Sequence, residues 1–205
     1  MNLPNKITII RVILIPIYML FAFPLDFLPD LGFMSKYRLF FALFIFIVAS
    51  ITDSVDGHIA RKYNMVTDFG KFLDPIADKL LVTAALLAIT MVPKFGKYYL
   101  WATMIILTRE FAVTGMRLVA ASTGTVIAAG MAGKIKTTSQ CIALITLQTA
   151  WAVQEALSSV RFFSVTSEVL FWIGNIGLIF AVFMTIYSGI EYFVKNAGVF
   201  KKGTM

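Results

Sequence analysis

Long apolar runs separated by short polar segments recur along this chain of 205 residues. A helix that crosses a bilayer needs roughly 20 mostly apolar residues, and six runs approach that length. The composition agrees, because 59% of the residues are hydrophobic and only 14% are charged, against about 25% charged in soluble domains. The sequence therefore predicts an all-α integral membrane protein with six transmembrane helices, organised as a single domain over residues 1–205.

The bounds of the six predicted spans follow from the positions of the apolar runs. A short interfacial segment is predicted at the N-terminus, before the first span. Pro16 lies inside the first span and predicts a kink there, because proline lacks a backbone donor. The predicted spans are 7–23, 37–60, 74–92, 98–121, 137–157 and 169–194.

The basic residues predict how these helices are oriented. With the N-terminus inside, 13 of the 18 Lys and Arg residues fall on the cytoplasmic side, as is typical of inner loops. We therefore expect a multi-pass protein of the cell membrane with both termini in the cytoplasm. The net charge of +7 indicates contacts with membrane lipids and phosphate groups. It does not indicate binding to nucleic acid, because the sequence has no basic stripe interleaved with aromatic residues.

Four carboxylates lie close together in the sequence, at the second and third predicted spans. Asp53 and Asp56 are three residues apart and Asp74 and Asp78 are four apart, so each pair occupies one helical face. Like charges about 4 Å apart repel by roughly 4 kcal/mol at an effective dielectric near 20. Bound protons or cations must therefore reduce the repulsion between these carboxylates. With one His and one Cys in the chain, oxygen ligation favours Mg²⁺ or Mn²⁺. The alternative is ordinary salt bridges to the neighbouring basic residues Arg61, Lys62, Lys71 and Lys79.

Residues with almost no side chain accompany the aspartates. Gly57 and Ala60 continue the face of the first pair, and Gly70 precedes the second pair by one turn. Bare backbone lets a nucleotide or a diphosphate lie against a helix, where a larger side chain would fill the space. The alternative is close packing between membrane helices, for which small residues are also used.

Pro75 leaves two possible starts for the third helix. If the helix begins at Pro75, then Asp74 is its N-cap. If it begins near Asp68, then Pro75 lies inside it and leaves one carbonyl without its usual donor. Asp74 and Asp78 are about one turn apart in either case.

The segment from Asp53 to Asp78 resembles the signature of the CDP-alcohol phosphatidyltransferases, Asp-x-x-Asp-Gly-x-x-Ala-Arg-x8-Gly-x-x-x-Asp-x-x-x-Asp, at all eight fixed positions. The resemblance implies a six-helix membrane enzyme, usually homodimeric, whose active site opens to the cytoplasm. It implies that the four aspartates hold two divalent ions and that Asp78 is the general base. It also implies that the CDP-lipid is bound by Asp56, Gly57, Ala60, Arg61 and Gly70.

Other segments are similar to one branch of the same family. The N-terminal Asn5-x-x-Thr8-x-x-Arg11 is similar to a family segment and adds Thr8 to the CDP-lipid site. Arg109-Glu110-Phe111, Arg117 and residues 133–138 resemble the branch that joins CDP-diacylglycerol to sn-glycerol 3-phosphate. That reaction gives phosphatidylglycerophosphate and CMP, on the route to phosphatidylglycerol and cardiolipin.

Three basic residues are candidates to bind the phosphate of the acceptor: Arg109, Arg117 and Lys134. They lie at cytoplasmic depth with few acidic residues nearby in the sequence, and arginine binds phosphate through two parallel hydrogen bonds. The alternatives are that Arg109 pairs with Glu110 or Glu155, that Arg117 extends its charged end to the interface, and that Lys134 only follows the positive-inside rule. Lys136 stays open between phosphate binding and the positive-inside rule, and Thr8 and Arg11 stay open between lining the site and anchoring the helix.

Two other functions are compatible with intramembrane acids. Another acceptor, an inositol phosphate or serine, would keep the family and change the product. A divalent-cation transporter would belong to a different class, and would be expected to show internal repeats and acids along a path through the membrane. Here the acids cluster at one predicted face and we see no repeat, which favours the enzyme.

Overall fold

The computed structural model describes residues 3–23, 33–62, 68–122 and 130–196, and within these ranges the side chains of residues 3–6, 33–35, 53–75, 78 and 122 lie outside this description. The described ranges form six α-helices. The prediction of an all-α fold with six helices is confirmed for these residues. The helices are α1 (Leu3–Ala22), α2 (Phe33–Lys62), α3 (Asp68–Ile89), α4 (Gly96–Ser122), α5 (Met131–Leu157) and α6 (Arg161–Lys195).

Several helices begin earlier than their apolar runs. α5 begins at Met131 and α6 at Arg161, before the predicted starts at 137 and 169, because backbone hydrogen bonds continue through polar residues that end a hydrophobic stretch. α3 begins at Asp68, so Pro75 lies inside the helix and the second of the two predicted starts is the observed one. Residues 3–6, predicted as an interfacial segment, belong to the beginning of α1.

Contacts between distant helices define the two ends of the bundle. At one end, Arg38 near the start of α2 donates from Nε to Glu155 Oε1 (3.0 Å) near the end of α5. Arg38 Nη1 also donates to the carbonyl oxygen of Ala22 (3.3 Å), the last residue of α1. The opposite end therefore brings together the first halves of α1, α3 and α5 and the last parts of α2, α4 and α6. Because it carries residues 53–62 and 68–78, we call it the signature end.

The tightest packing joins α5 to α6. A Cβ built on Gly174 would lie 2.6 Å from Leu147 Cδ2, and one built on Gly177 would lie 3.3 Å from Ala143 Cβ. Glycine at these two positions therefore lets the helices approach. The buried core continues between α2, α3, α4 and α5, and its fully buried side chains include Phe46, Leu86, Ile106, Leu144 and Leu147.

Apolar side chains also cover much of the outside. Within the described residues, α6 is the helix that combines the length and apolarity needed to cross a membrane, with a mean hydropathy of 2.2 in its most apolar stretch. Its exposed face includes Trp172, Ile176, Phe183 and Ile190. Two shorter apolar stretches are Ile7–Ala22 and Lys79–Ile89. The described residues thus show six helices, whereas six membrane crossings remain a prediction.

Candidate active site

The backbone of the signature residues is helical. Asp53 and Asp56 lie in the last third of α2, and Asp74 and Asp78 lie in the first half of α3, which packs against α2. The spacing that places each pair on one helical face therefore holds. The side chains of the four aspartates, and those of Ala60 and Arg61, lie outside the described part, as do the surroundings of Gly57 and Gly70. The metal site and the CDP-lipid site remain predictions.

A pocket of about 330 Å³ lies between α1, α2, α3, α4 and α5. Ser50, three residues before Asp53, and Lys79, directly after Asp78, both line it. The pocket therefore adjoins the signature. Most of its wall is apolar, and the polar side chains in it include Arg11, Lys79, Glu110, Lys136 and Gln140.

One carboxylate in this wall, that of Glu110, forms ion pairs with basic side chains of α3, α4 and α5. Glu110 Oε1 lies 2.7 Å from Lys136 Nζ and 3.1 Å from Arg109 Nη1. Glu110 Oε2 lies 3.5 Å from Lys79 Nζ, which also donates to Thr114 Oγ1 at 2.6 Å. Among the described side chains, three positive groups therefore meet one negative group, a net charge of +2. This excess suits an anion such as a phosphate dianion.

Arg109 is paired, so the alternative that it meets Glu110 is observed. Its Nη2 also donates to Ser188 Oγ of α6 at 3.0 Å, and a Cβ built on Gly133 would lie 3.8 Å from that nitrogen. Arg109 lines a shallow groove of about 420 Å³ between α4 and α6 and is not among the residues that line the central pocket. The other suggested partner, Glu155, is held by Arg38.

The other two candidates for the acceptor phosphate are exposed. The Arg117 guanidinium lies over the ring of Tyr192 in α6, 5.6 Å from its centroid, and Lys134 is exposed in the first turn of α5. Arg109 and Arg117 thus contact α6 at Ser188 and Tyr192, one helical turn apart. Lys134 follows Gly133, next to Arg109. No described contact joins all three cations, so their shared role remains a prediction.

The two residues singled out in α1 are buried. Thr8 is 2% exposed and Arg11 is fully buried. They are three residues apart, on one face of the helix. Arg11 lines the central pocket, which favours a binding role for it over anchoring at the surface. Thr8 lies one turn closer to the N-terminus of α1.

The structure adds residues that the sequence did not mark as parts of one site. Lys79 was considered only as a partner for the aspartates, Lys136 was left open, and Gln140 was not considered. The signal available in the sequence was weak. Lys136 and Gln140 are four apart and therefore share a face of α5, but nothing local says that this face meets Glu110.

Comparisons with known proteins agree on one family. The family model described as CDP-alcohol phosphatidyltransferase matches residues 1–187. A CDP-diacylglycerol–glycerol-3-phosphate 3-phosphatidyltransferase of Bacillus subtilis (strain 168) is 48% identical over 198 residues, which cover 95% of each chain. Proteins of the same name are 36% identical in Rickettsia felis, over 94% of this chain and 93% of the relative, and in Escherichia coli (strain K12), over 83% and 90%.

Proposed function

Because this chain belongs to the CDP-alcohol phosphatidyltransferase family, we propose that it transfers the phosphatidyl group of CDP-diacylglycerol to sn-glycerol 3-phosphate. The products are phosphatidylglycerophosphate and CMP. The observation that carries the choice of acceptor is the relative named for these two substrates, which is 48% identical over 95% of both chains. Membership of a transferase family also favours this reaction over the alternative that the protein is a cation transporter.

The charge around Glu110, beside the central pocket, supports a phosphorylated acceptor. Among the described side chains, Lys79, Arg109 and Lys136 meet one carboxylate, that of Glu110. A neutral alcohol such as free glycerol would use none of this excess, whereas a phosphate dianion would balance it. Arg109, Arg117 and Lys134 are the residues we propose for the acceptor phosphate.

The donor set of the signature fits a hard divalent cation. Asp53, Asp56, Asp74 and Asp78 supply only carboxylate oxygens from helical positions, the ligands that Mg²⁺ and Mn²⁺ prefer, and we propose that they hold two ions. When bound, such ions neutralise the charge of the diphosphate and of the departing CMP.

The chemistry required of the protein is modest. We propose that Asp78 takes the proton from the acceptor's reacting hydroxyl. The hydroxyl oxygen then bonds to the β-phosphorus of CDP-diacylglycerol, the bond from that phosphorus to the bridging oxygen breaks, and CMP leaves with the electron pair. The CDP-lipid would be held by Asp56, Gly57, Ala60, Arg61, Gly70 and Thr8.

We also propose that the bundle crosses the membrane six times, forms a homodimer and opens its site to the cytoplasm. Two observations support the membrane placement. The outward face of α6 carries Trp172, Phe183 and other exposed apolar side chains, which lipid would cover. The excess of Lys and Arg predicted on the cytoplasmic side agrees with the position of the signature end.

An assay of the purified protein tests the function. CMP release is measured with CDP-diacylglycerol and Mg²⁺ or Mn²⁺, and with glycerol 3-phosphate, inositol phosphate, serine or free glycerol as acceptor. We expect glycerol 3-phosphate to be preferred and free glycerol to be very poor. Preference for inositol phosphate or serine would overturn the proposed acceptor. If none of the alcohols supported CMP release, the proposed reaction itself would be overturned.

A further inference from the structure

Gln140 is a buried polar residue whose side chain makes no hydrogen bond to the part of the protein that the structure describes. It lies in α5, one turn after Lys136, and is 2% exposed. Its Oε1 and Nε2 atoms are both buried, and neither has a hydrogen-bond partner within the described structure. Gln140 lines the central pocket together with Lys79, Glu110 and Lys136.

The same helix shows how such a residue is normally accommodated. Gln148, two turns further along α5, is also buried; its Oε1 accepts a hydrogen bond from Tyr18 Oη at 2.9 Å, and only its Nε2 lacks a partner in the described structure, whereas both polar atoms of Gln140 do. Buried amide groups are nearly always paired, because leaving them unpaired lowers stability. Gln140 therefore sits at a position where a bound molecule, and not the fold, would supply the partner.

The surroundings of Gln140 indicate the chemistry of that molecule. An amide presents one acceptor and one donor edge, and a hydroxyl group satisfies both, since it can donate to Oε1 and accept from Nε2. Lys136, in the wall of the pocket, and Arg109, one of the residues proposed for the acceptor phosphate, both contact Glu110 Oε1, so the pocket adjoins the proposed phosphate site. A volume of about 330 Å³ is in the range of small-molecule sites. The pocket thus fits a small phosphorylated polyol.

We propose that Gln140 hydrogen-bonds the hydroxyl of the acceptor that does not react, and so determines acceptor specificity. This inference rests on the proposed function. Glycerol 3-phosphate has two free hydroxyls, and only one of them attacks the CDP-lipid. The other is on the middle carbon and needs a partner inside a largely apolar pocket.

The test pairs a change in the protein with a change in the substrate. Gln140→Met and the unaltered enzyme are each assayed with glycerol 3-phosphate and with propane-1,3-diol monophosphate, which lacks the middle hydroxyl. The unaltered enzyme should prefer glycerol 3-phosphate about tenfold in kcat/KM, the scale of one hydrogen bond. In Gln140→Met this preference should disappear, through a loss on glycerol 3-phosphate with little change on the analogue.

Gln148→Met is the matched control, since it alters an equally buried glutamine of the same helix and should keep the preference. The midpoint of thermal unfolding gives a second readout: Gln140→Met should not lower it, because the variant removes an unpaired amide. If Gln140→Met does not accumulate, Gln140→Asn, which keeps the amide but shortens its reach, should lose the preference.

Three outcomes separate the possibilities. A Gln140 variant that keeps the preference for glycerol 3-phosphate overturns the inference. Equal losses on both substrates together with a lower unfolding midpoint also overturn it, because they indicate a packing role. If the unaltered enzyme does not use glycerol 3-phosphate at all, the proposed function itself is wrong.

Discussion

Lys136 Nζ lies 2.7 Å from Glu110 Oε1, and this ion pair ties the start of α5 to the middle of α4. The lysine is 3% exposed, and a buried ammonium group needs a counter-charge. The same carboxylate meets Arg109 and Lys79. Glu110 therefore orders cations from three helices beside the proposed acceptor pocket.

The first prediction concerns Glu110. Glu110→Gln should lower kcat/KM for glycerol 3-phosphate about tenfold or more, because it removes the carboxylate that holds Lys79, Arg109 and Lys136 together beside the pocket. The acceptor is varied at saturating CDP-diacylglycerol, and the KM for CDP-diacylglycerol should change little. Glu155→Gln is the matched control, since it breaks the ion pair to Arg38 at the opposite end of the bundle. Equal kinetics in the two variants would contradict the prediction.

The second prediction concerns the four signature aspartates. Replacing any one of these aspartates (Asp53, Asp56, Asp74 or Asp78) with Asn should abolish CMP release with little loss of folded protein, because Asn supplies no charge to a divalent cation. Asp78→Asn should reduce metal binding least, as expected of the general base. Asp68→Asn, at the start of α3 and outside the signature, should retain activity. Near-normal turnover in two of the four variants would count against a shared metal site.

The third prediction uses glycine to separate nucleotide contact from packing. Gly57→Val should raise the CDP-diacylglycerol concentration required or remove activity, because the added side chain would fill the space proposed for the nucleotide. Gly115→Val is the control, since a Cβ on Gly115 meets no atom within 4 Å. Activity and membrane insertion are measured together. Disrupted insertion of Gly57→Val, with unchanged specific activity of the inserted fraction, would favour the packing alternative.

The fourth prediction is the orientation of the bundle. In a Cys141→Ser background, Asn64→Cys should resist an impermeant thiol reagent in sealed cells, and Lys94→Cys should react, because the positive-inside rule places the α2–α3 connection in the cytoplasm. Lys94 is an exposed site. The nearby Gly96 is unsuitable for a cysteine substitution, since a Cβ added there would lie 2.2 Å from the carbonyl oxygen of Thr90. The reverse labelling pattern would show that the signature end faces outward.

Much of the architecture follows from local sequence. The order of the six helices could be predicted from the apolar runs, and the helical spacing of Asp53 and Asp56 and of Asp74 and Asp78 holds in α2 and α3. Helix ends were predicted less well. α6 begins at Arg161, because hydropathy marks where apolar residues stop and not where backbone hydrogen bonding stops.

The partners of the charged residues were decided by the tertiary structure. From the sequence alone, Arg109 could pair with Glu110 or with Glu155, and packing assigns Glu155 to Arg38 across 117 residues of chain. Lys136 reaches Glu110 across a separation of 26 residues. Helical periodicity sets which residues share a face, whereas which faces meet depends on how whole helices pack. The signature and its helical spacing are therefore present in the sequence itself, whereas the cluster at Glu110 and the unpaired amide of Gln140 exist only once the helices have come together.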